Sequence, residues 1–183
     1  FVVASETCAF DIIGAEYVGE VSPGEILIFD EEVLQSGIPK SFHLKNKPDK
    51  PHYCIFEYIY FSRPDSYVFG ESVNRIRRRF GKLLAEENPV KAKDPNERII
   101  VINVPDSSNT ATLGFVSRNN KIGNNSKYEI GLIRSHYVGR TFIQPDQDDR
   151  EVKVKIKFNK VRGVLKDKVV VIVDDSIVRG TTS

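Results

Sequence analysis

The chain has 183 residues, enough for one well-buried core or for parts of two domains. Its make-up of 40% hydrophobic and 28% charged residues is that of a globular protein, and a formal net charge of +2 is too small to argue for nucleic acid or a membrane surface as partner. No run approaches the ~18 apolar residues that span a bilayer, and Ser5-Glu6-Thr7 interrupts the opening run that a signal peptide would need. Cys8 and Cys54 lie far apart without CxxC spacing, so both are read as reduced thiols of a cytoplasmic protein. The chain opens without Met inside a strand-like run, Phe1-Val2-Val3-Ala4, and stops at Ser183 where a helix is due. It therefore reads as an internal piece of a longer protein.

Residues 1–29 alternate short apolar runs with turns. Thr7 to Ile13 reads as a short helix or turn capped by Ser5 or Thr7, and Pro23-Gly24 is a turn between two strands. This is the edge of a β-rich unit, with Cys8 as a small buried packing residue. Asp30 to Pro51 is polar, carries Lys40, Lys45, Lys47 and Lys50, and reads as a surface hairpin or loop. A domain boundary is expected near residue 50, giving units 1–50 and 51–183.

The run from His52 to Phe61 is dense in aromatic and β-branched residues, and a strand is expected over 55–61. Ser72 to Ala85 shows helical periodicity at Val73, Ile76, Phe80, Leu83 and Leu84. Arg75, Arg77, Arg78 and Arg79 are expected on its solvated face, with a phosphate contact as the alternative. A second buried strand, 98–104, runs into Pro105-Asp106-Ser107-Ser108-Asn109. Small hydroxyl residues at a strand's carboxyl end can hold an anion through backbone amides and add an oxygen ligand to Mg2+. A helix over 110–117 and a polar loop over 118–127 should follow.

A third strand is expected over 128–133, then a cationic stretch from Arg134 to Pro145 that suits either a mobile lid or a plain basic surface loop. His136 reads as readily as a packing or surface residue as an acid/base. Val152, Val154, Ile156 and Phe158 alternate with lysines, the pattern of a half-exposed strand. Finally Val169 to Val173 is an unbroken β-branched run, the mark of a strand buried on both faces. Asp174-Asp175 ends it, and Ser176, Gly180, Thr181 and Thr182 follow. Two carboxylates at a strand end can hold a pair of sugar hydroxyls or a Mg2+ ion. A turn of small hydroxyl residues can cradle a phosphate, and the bland alternative is an Asp-Ser turn leading to a helix cap. Strands at 55–61, 98–104, 128–133 and 169–173 alternating with helices predict a doubly wound parallel α/β sheet with its ligand site at the strands' carboxyl edge.

Val170 to Thr182 resembles the phosphoribosylpyrophosphate (PRPP) signature of type I phosphoribosyltransferases. Ser5 to Asp11, Val21 to Glu25, Cys54 to Ser66 and Tyr137 to Pro145 resemble the glutamine-dependent PRPP amidotransferase family within that class, so the likeness covers essentially the whole chain. The resemblance implies an incomplete type I sheet preceded by the β-rich end of an N-terminal-nucleophile glutaminase domain, whose nucleophile would lie upstream of Phe1. It implies transfer of glutamine-derived ammonia to PRPP, yielding 5-phosphoribosylamine, pyrophosphate and glutamate, the committed step of purine (IMP) synthesis. Asp106, Ser107 and Ser108 would then hold pyrophosphate, and Asp174 and Asp175 the ribose hydroxyls. Ser107, Asp174 and Asp175 would bind Mg2+, while Ser176, Ile177, Val178, Arg179, Gly180, Thr181 and Thr182 anchor the 5-phosphate. Tyr137 and Arg140 would act from a lid over the reacting carbon. In one branch of the family a cysteine at the place of Cys54 ligates a 4Fe–4S cluster, and cluster-free members carry a cysteine there too. PRPP, glutamine, inhibitory purine nucleotides and copies of the same chain are the partners implied. A nucleobase phosphoribosyltransferase and a PRPP-responsive regulator are the alternatives. Against the regulator, residues 1–50 show neither a helix-turn-helix pattern nor a basic patch.

Overall fold

The structure, a computed structural model, describes residues 1–45, 50–94, 96–135 and 158–177. The N-terminal segment forms helix α1 (Cys8–Ile13), strand β1 (Glu25–Ile28), helix α2 (Glu31–Ser36) and strand β2 (Lys40–His43). β1 and β2 pair antiparallel, with Glu25 opposite His43 and Ile28 opposite Lys40. The hairpin therefore begins before the expected stretch 30–51 and has a helix set into its connection, and no strand precedes the Pro23-Gly24 turn among the described residues. Asp30 starts that helix by accepting from the Val33 N–H at 3.1 Å, and Gly37 ends it in the left-handed region at φ 74°. Cys8 is buried, as a packing residue should be.

Strands β3 (Tyr67–Val68) and β4 (Glu71–Ser72) form a short antiparallel pair ahead of the main sheet. The central sheet has three parallel strands in the order β6–β5–β9, comprising β5 (Ile99–Asn103), β6 (Ser126–Tyr128) and β9 (Val170–Val173). Every residue of β5 is buried, which explains its unbroken apolar run. Ile99 and Val101 share a core with Ala85, Phe115 and Val173, while Ile102 packs on the opposite face against Gly131 and Leu165. Helices α3 (Val73–Glu87) and α4 (Asn109–Lys121) cover the first face. Ser72 caps α3 through the Arg75 N–H. Pro89 then disfavours helical geometry at Asn88, and α3 stops there.

α3 and α4 approach through two glycines. A Cβ on Gly81 would lie 1.8 Å from the Ala111 carbonyl oxygen, and one on Gly114 would lie 2.1 Å from that of Arg78. No larger residue fits either place without moving backbone.

Three expectations are corrected. The strand over 55–61 is instead a single π-helical turn, Glu57–Phe61. The Ser62 N–H closes it on the Glu57 carbonyl at 3.0 Å, the Ser62 hydroxyl donates to the Glu57 carboxylate at 2.9 Å, and Arg77 takes the Tyr58 and Ser62 carbonyls. Side chains thus satisfy the backbone that a sheet neighbour would have satisfied. Its aromatics pack locally: Tyr53 stacks on Phe69 with ring centroids 4.1 Å apart, and Tyr58 meets Phe69 edge-on at 5.8 Å.

The third strand, 128–133, is divided. β6 stays in the parallel sheet, and the chain then passes over Ile102 at Gly131, where a Cβ would fall 2.6 Å from Ile102 Cγ2. It enters β7 (Leu132–Arg134), which pairs antiparallel with β8 (Phe158–Lys160). β8 holds the described end of the alternating stretch; its earlier residues lie outside the described ones. Helix α5 (Arg162–Leu165) joins β8 to β9.

α4 also outlasts its expected end by one turn. Buried Asn119 accepts from the Val90 N–H and donates to the Val90 carbonyl, both at 3.1 Å. Asn120 takes the Ser126 N–H and hydroxyl at 2.8 Å. Asparagine is a poor helix former because its side chain competes for nearby backbone. Here those groups bind distant partners, and the helix continues.

Candidate functional site

β5 and β9 end side by side. The Val104 N–H donates to the Val173 carbonyl at 3.0 Å, carrying the ladder one step beyond β5. The turn after β5 and the acids after β9 therefore meet at one edge of the sheet, where open α/β sheets bind ligands. Ser107, Ser108, Asp174 and Asp175 line one cavity of about 350 Å³, with Arg77 beside them and Ile59, Phe80, Leu83 and Leu84 as its apolar wall.

The Ser107 turn is held from beneath. Ser108 is buried; its hydroxyl donates to the Val104 carbonyl at 2.6 Å. Its own carbonyl accepts from the Thr112 N–H at 2.9 Å and the Thr112 hydroxyl at 2.8 Å. The Ser108 side chain and carbonyl thus serve the turn, and its main-chain N–H is what is left for a ligand. The Pro105–Asp106 peptide is cis. Asn103 donates to Asn109 and accepts from the Tyr128 hydroxyl at 2.9 Å.

At the acid pair, Asp174 Oδ1 accepts from the Asp175 N–H at 2.9 Å, and the Ser176 hydroxyl donates to Asp175 Oδ1 at 3.1 Å. Asp175 Oδ2 is buried and has no hydrogen-bond partner among the described residues. An orphaned carboxylate oxygen beside a second carboxylate and a serine is an oxygen-only donor set, which fits Mg2+ rather than a softer metal.

Burial raises the Asp174 pKa above its ordinary 3.8; the Asp175 N–H works against that, and the Asp175 charge adds to it. For a carboxyl group raised in the folded state, the folded protein holds the proton more tightly than the unfolded one. The corresponding stability is full below the unfolded pKa and is lost as pH rises through the folded pKa. At neutral pH the ionised Asp174 therefore costs stability. Asp174→Asn is expected to raise the unliganded melting temperature at pH 7, with no gain below about pH 4. Thermal scans across that range check it, and a gain that persists at low pH would rule out this origin.

The structure brings together Ser107, Ser108, Asp174 and Asp175 but turns Asp106 elsewhere. Its carboxylate pairs with Arg134 of β7 at 2.6 Å. Ser176 is exposed, as is Ile177 at 84%. Tyr137, Arg140, His136, Val178, Arg179, Gly180, Thr181 and Thr182 lie outside the described residues. Cys54 is exposed, and the described residues contain no group of three or more His, Cys, Asp or Glu that could hold a metal. No described helix is long and apolar enough to cross a membrane.

Arg77 corrects the sequence reading. Expected on the solvated face of α3, it is 4% exposed and reaches the Tyr58, Ser62 and Ser107 carbonyls. The signal was present in the spacing. Val73, Arg77, Gly81 and Ala85 fall four apart on one face, and all four are buried.

A three-stranded parallel sheet, flanked by helices and presenting a Pro-Asp-Ser-Ser turn and an Asp-Asp pair at one carboxyl edge, is the type I phosphoribosyltransferase fold. No family model matches the chain. It is 50% identical over 184 residues to amidophosphoribosyltransferase 1, chloroplastic, of Arabidopsis thaliana, a match covering 100% of this chain and 29% of that one. To the amidophosphoribosyltransferase of Bacillus subtilis it is 49% identical over 183 residues, covering 100% and 35%. A solved structure described as the allosteric regulatory enzyme of purine biosynthesis superposes with a TM-score of 0.77 at 48% identity, over 97% of this chain and 35% of that one. The glutamine PRPP amidotransferase of B. subtilis, complexed with ADP and GMP, superposes at 0.75 with 47% identity and the same coverage. The chain spans about a third of the length of the relatives it matches. It belongs to the amidophosphoribosyltransferase family.

Proposed function

We propose that this chain carries the PRPP site of an enzyme that transfers glutamine-derived ammonia to PRPP, releasing pyrophosphate and glutamate and forming 5-phosphoribosylamine, the entry to purine synthesis. The observation that carries the reading is the cavity at the joined ends of β5 and β9. There Asp175 Oδ2 is buried, with no hydrogen-bond partner among the described residues, beside Asp174 and Ser107, in a chain half identical to amidophosphoribosyltransferases along its whole length.

In this reading Asp174 and Asp175 hold the ribose hydroxyls and, with Ser107, a Mg2+ ion. The main-chain N–H groups of Ser107 and Ser108 face pyrophosphate, and Ser176 to Thr182 wrap the 5-phosphate. Mg2+, when bound, neutralises the charge that builds on departing pyrophosphate. The protein's own part is placement and electrostatics: donors preset where charge develops, and a sugar held with its reactive carbon facing the ammonia. Tyr137 and Arg140 belong to the closing lid, which keeps water from a carbon that would otherwise be hydrolysed.

The reading divides the chain into the end of a glutaminase domain over 1–50 and the start of a transferase domain over 51–183. It makes purine nucleotides inhibitors, in keeping with the ADP and GMP bound to the B. subtilis relative. It also makes the enzyme a homo-oligomer of the cytoplasm, whereas plant relatives are chloroplastic. Cys54, exposed, is the cluster ligand if the parent carries a 4Fe–4S centre.

The test is calorimetric titration of PRPP with Mg2+ into the protein extended to its relatives' length, beside an assay of glutamine-dependent pyrophosphate release. Binding with release is expected. Binding without release, in a protein shown to have its N-terminal cysteine, would instead make it a PRPP-responsive regulator; absence of binding would remove the site assignment.

A further inference from the structure

Arg77 is a buried cation whose hydrogen bonds go to main-chain carbonyls of separate segments. Nε donates to Tyr58 O at 2.6 Å, Nη2 to Ser62 O at 2.8 Å, and Nη1 reaches Ser107 O at 3.5 Å. Burying a guanidinium among neutral carbonyls is costly, and an apolar side chain of similar volume would serve packing alone better. What arginine adds is a rigid planar fork with donors aimed at three places at once. One prong holds the turn that carries Ser107, and two hold the segment running into the 62–67 loop.

That loop is gripped from the other side by the N-terminal segment. Glu6 Oε2 accepts from the Arg63 N–H at 2.7 Å and the Ser66 hydroxyl at 2.9 Å, and Thr7 Oγ1 accepts from the Tyr67 N–H at 2.8 Å. α3 pins it as well, through Val73 N–H to Ser66 O at 3.0 Å and Asn74 N–H to Pro64 O at 3.1 Å. Ser66 is fully buried between the two. The loop therefore has little freedom to shift without its neighbours. An unbroken series of hydrogen bonds and short covalent spans leads from Glu6 through 62–66 and Arg77 to Ser107. Burial lowers the Arg77 pKa, and the charges of Asp175 and then Glu6 work against that.

We propose that Glu6 and Arg77 are positioning residues that couple the N-terminal segment to the Ser107 turn, so that the grip of residues 6–7 on the 62–67 loop sets the affinity of the neighbouring site for Mg2+–PRPP. The proposal rests on the PRPP reading of that site. Coupling between sites is reciprocal, so occupancy of the Ser107 turn feeds back on the N-terminal segment by the same factor. A shared mechanical element also predicts that the two substitutions are not independent.

The test uses the protein at its relatives' length, with Arg77→Lys, Glu6→Gln and the double variant. Dissociation constants for Mg2+–PRPP are measured by calorimetry, and kcat and KM with ammonia supplied directly, so that the glutaminase step is bypassed. Each single variant is expected to weaken PRPP binding about tenfold, the scale of a coupling mutation, and to raise KM while kcat stays within about twofold. The double variant should be little worse than Arg77→Lys alone. A merely structural role would instead lower the melting temperature and the active fraction at unchanged KM. Unchanged PRPP affinity in both single variants, or losses that multiply in the double, would overturn the proposal. If Arg77→Lys fails to fold, Glu6→Gln decides, because an amide oxygen can still accept both bonds made to Oε2, though without the charge that strengthens them. Failure of the unsubstituted protein to bind Mg2+–PRPP would sink the PRPP reading itself, and is distinct from variants that bind normally.

Discussion

Replacing Asp174 and Asp175 together by asparagine is expected to lower Mg2+-dependent PRPP affinity by about 10²- to 10⁴-fold while leaving the fold intact. A hydrogen bond to a charged group is worth roughly 1.5–3 kcal/mol, so two amount to about 3–6 kcal/mol, and each 1.4 kcal/mol is about tenfold. The fold survives because an amide oxygen can accept the bonds now made by Asp174 Oδ1 and Asp175 Oδ1. The unliganded protein should even gain stability, since the burial that raises the Asp174 pKa penalises a charge that asparagine lacks. Calorimetry with and without Mg2+, beside a thermal scan, reads both effects. Unchanged affinity in a folded double variant would mean that the acid pair is not the site. The opposite signs expected for affinity and stability are what a functional group held at a structural cost should show.

Gly81→Ala and Gly114→Ala are each expected to destabilise the protein by about 2 kcal/mol or more, although alanine is the better helix former. Propensity favours alanine by about 1 kcal/mol. Overpacking costs about 1–3 kcal/mol when side chains can yield, and more when they cannot. Here the clashing atoms are main chain: Ala111 O at 1.8 Å and Phe115 N at 2.9 Å from a Cβ on Gly81, and Arg78 O at 2.1 Å from one on Gly114. Only separation of α3 from α4 relieves that, and it would expose the Ala85–Phe115 core. Gly163→Ala in α5, where a Cβ meets nothing within 4 Å, is the control and should be neutral or slightly stabilising. Urea unfolding of the three variants distinguishes them. Equal stabilities would show that the two helices separate freely. Because α3 carries Arg77 and α4 follows the Ser107 turn, the glycine variants should weaken PRPP binding as well.

Much of the architecture was legible because its signals are local. The unbroken apolar runs of β5 and β9 announce strands by composition, and α3 announces itself by period. β5 is buried throughout, whereas β9, expected to be buried on both faces, is buried only at Val173 and leaves Ile172 42% exposed at the edge of the described sheet. The candidate site was legible for the same reason, since a turn and an acid pair at two strand ends need only adjacent strands to meet. Residues 55–61 misled because aromatic, β-branched composition marks surfaces that pack, and a π-helical turn capped by Arg77 packs them equally well. The extra turn of α4 escaped notice because Asn119 is satisfied by Val90, 29 residues away, and Asn120 by Ser126 beyond the helix end, rather than by the helix's own backbone.

By itself, then, the sequence determined which segments are strands and helices wherever hydrophobic period and caps decide, and which chemistry stands at the strand ends. Only the tertiary structure decided that Arg77 is buried, that Glu6 grips the 62–67 loop, that Asp106 turns to Arg134, and that one oxygen of Asp175 has no hydrogen-bond partner among the described residues. The first three depend on groups 15 to 60 residues apart in the chain being brought within hydrogen-bond distance. The free energy of such contacts exists only once the fold has closed the intervening loops.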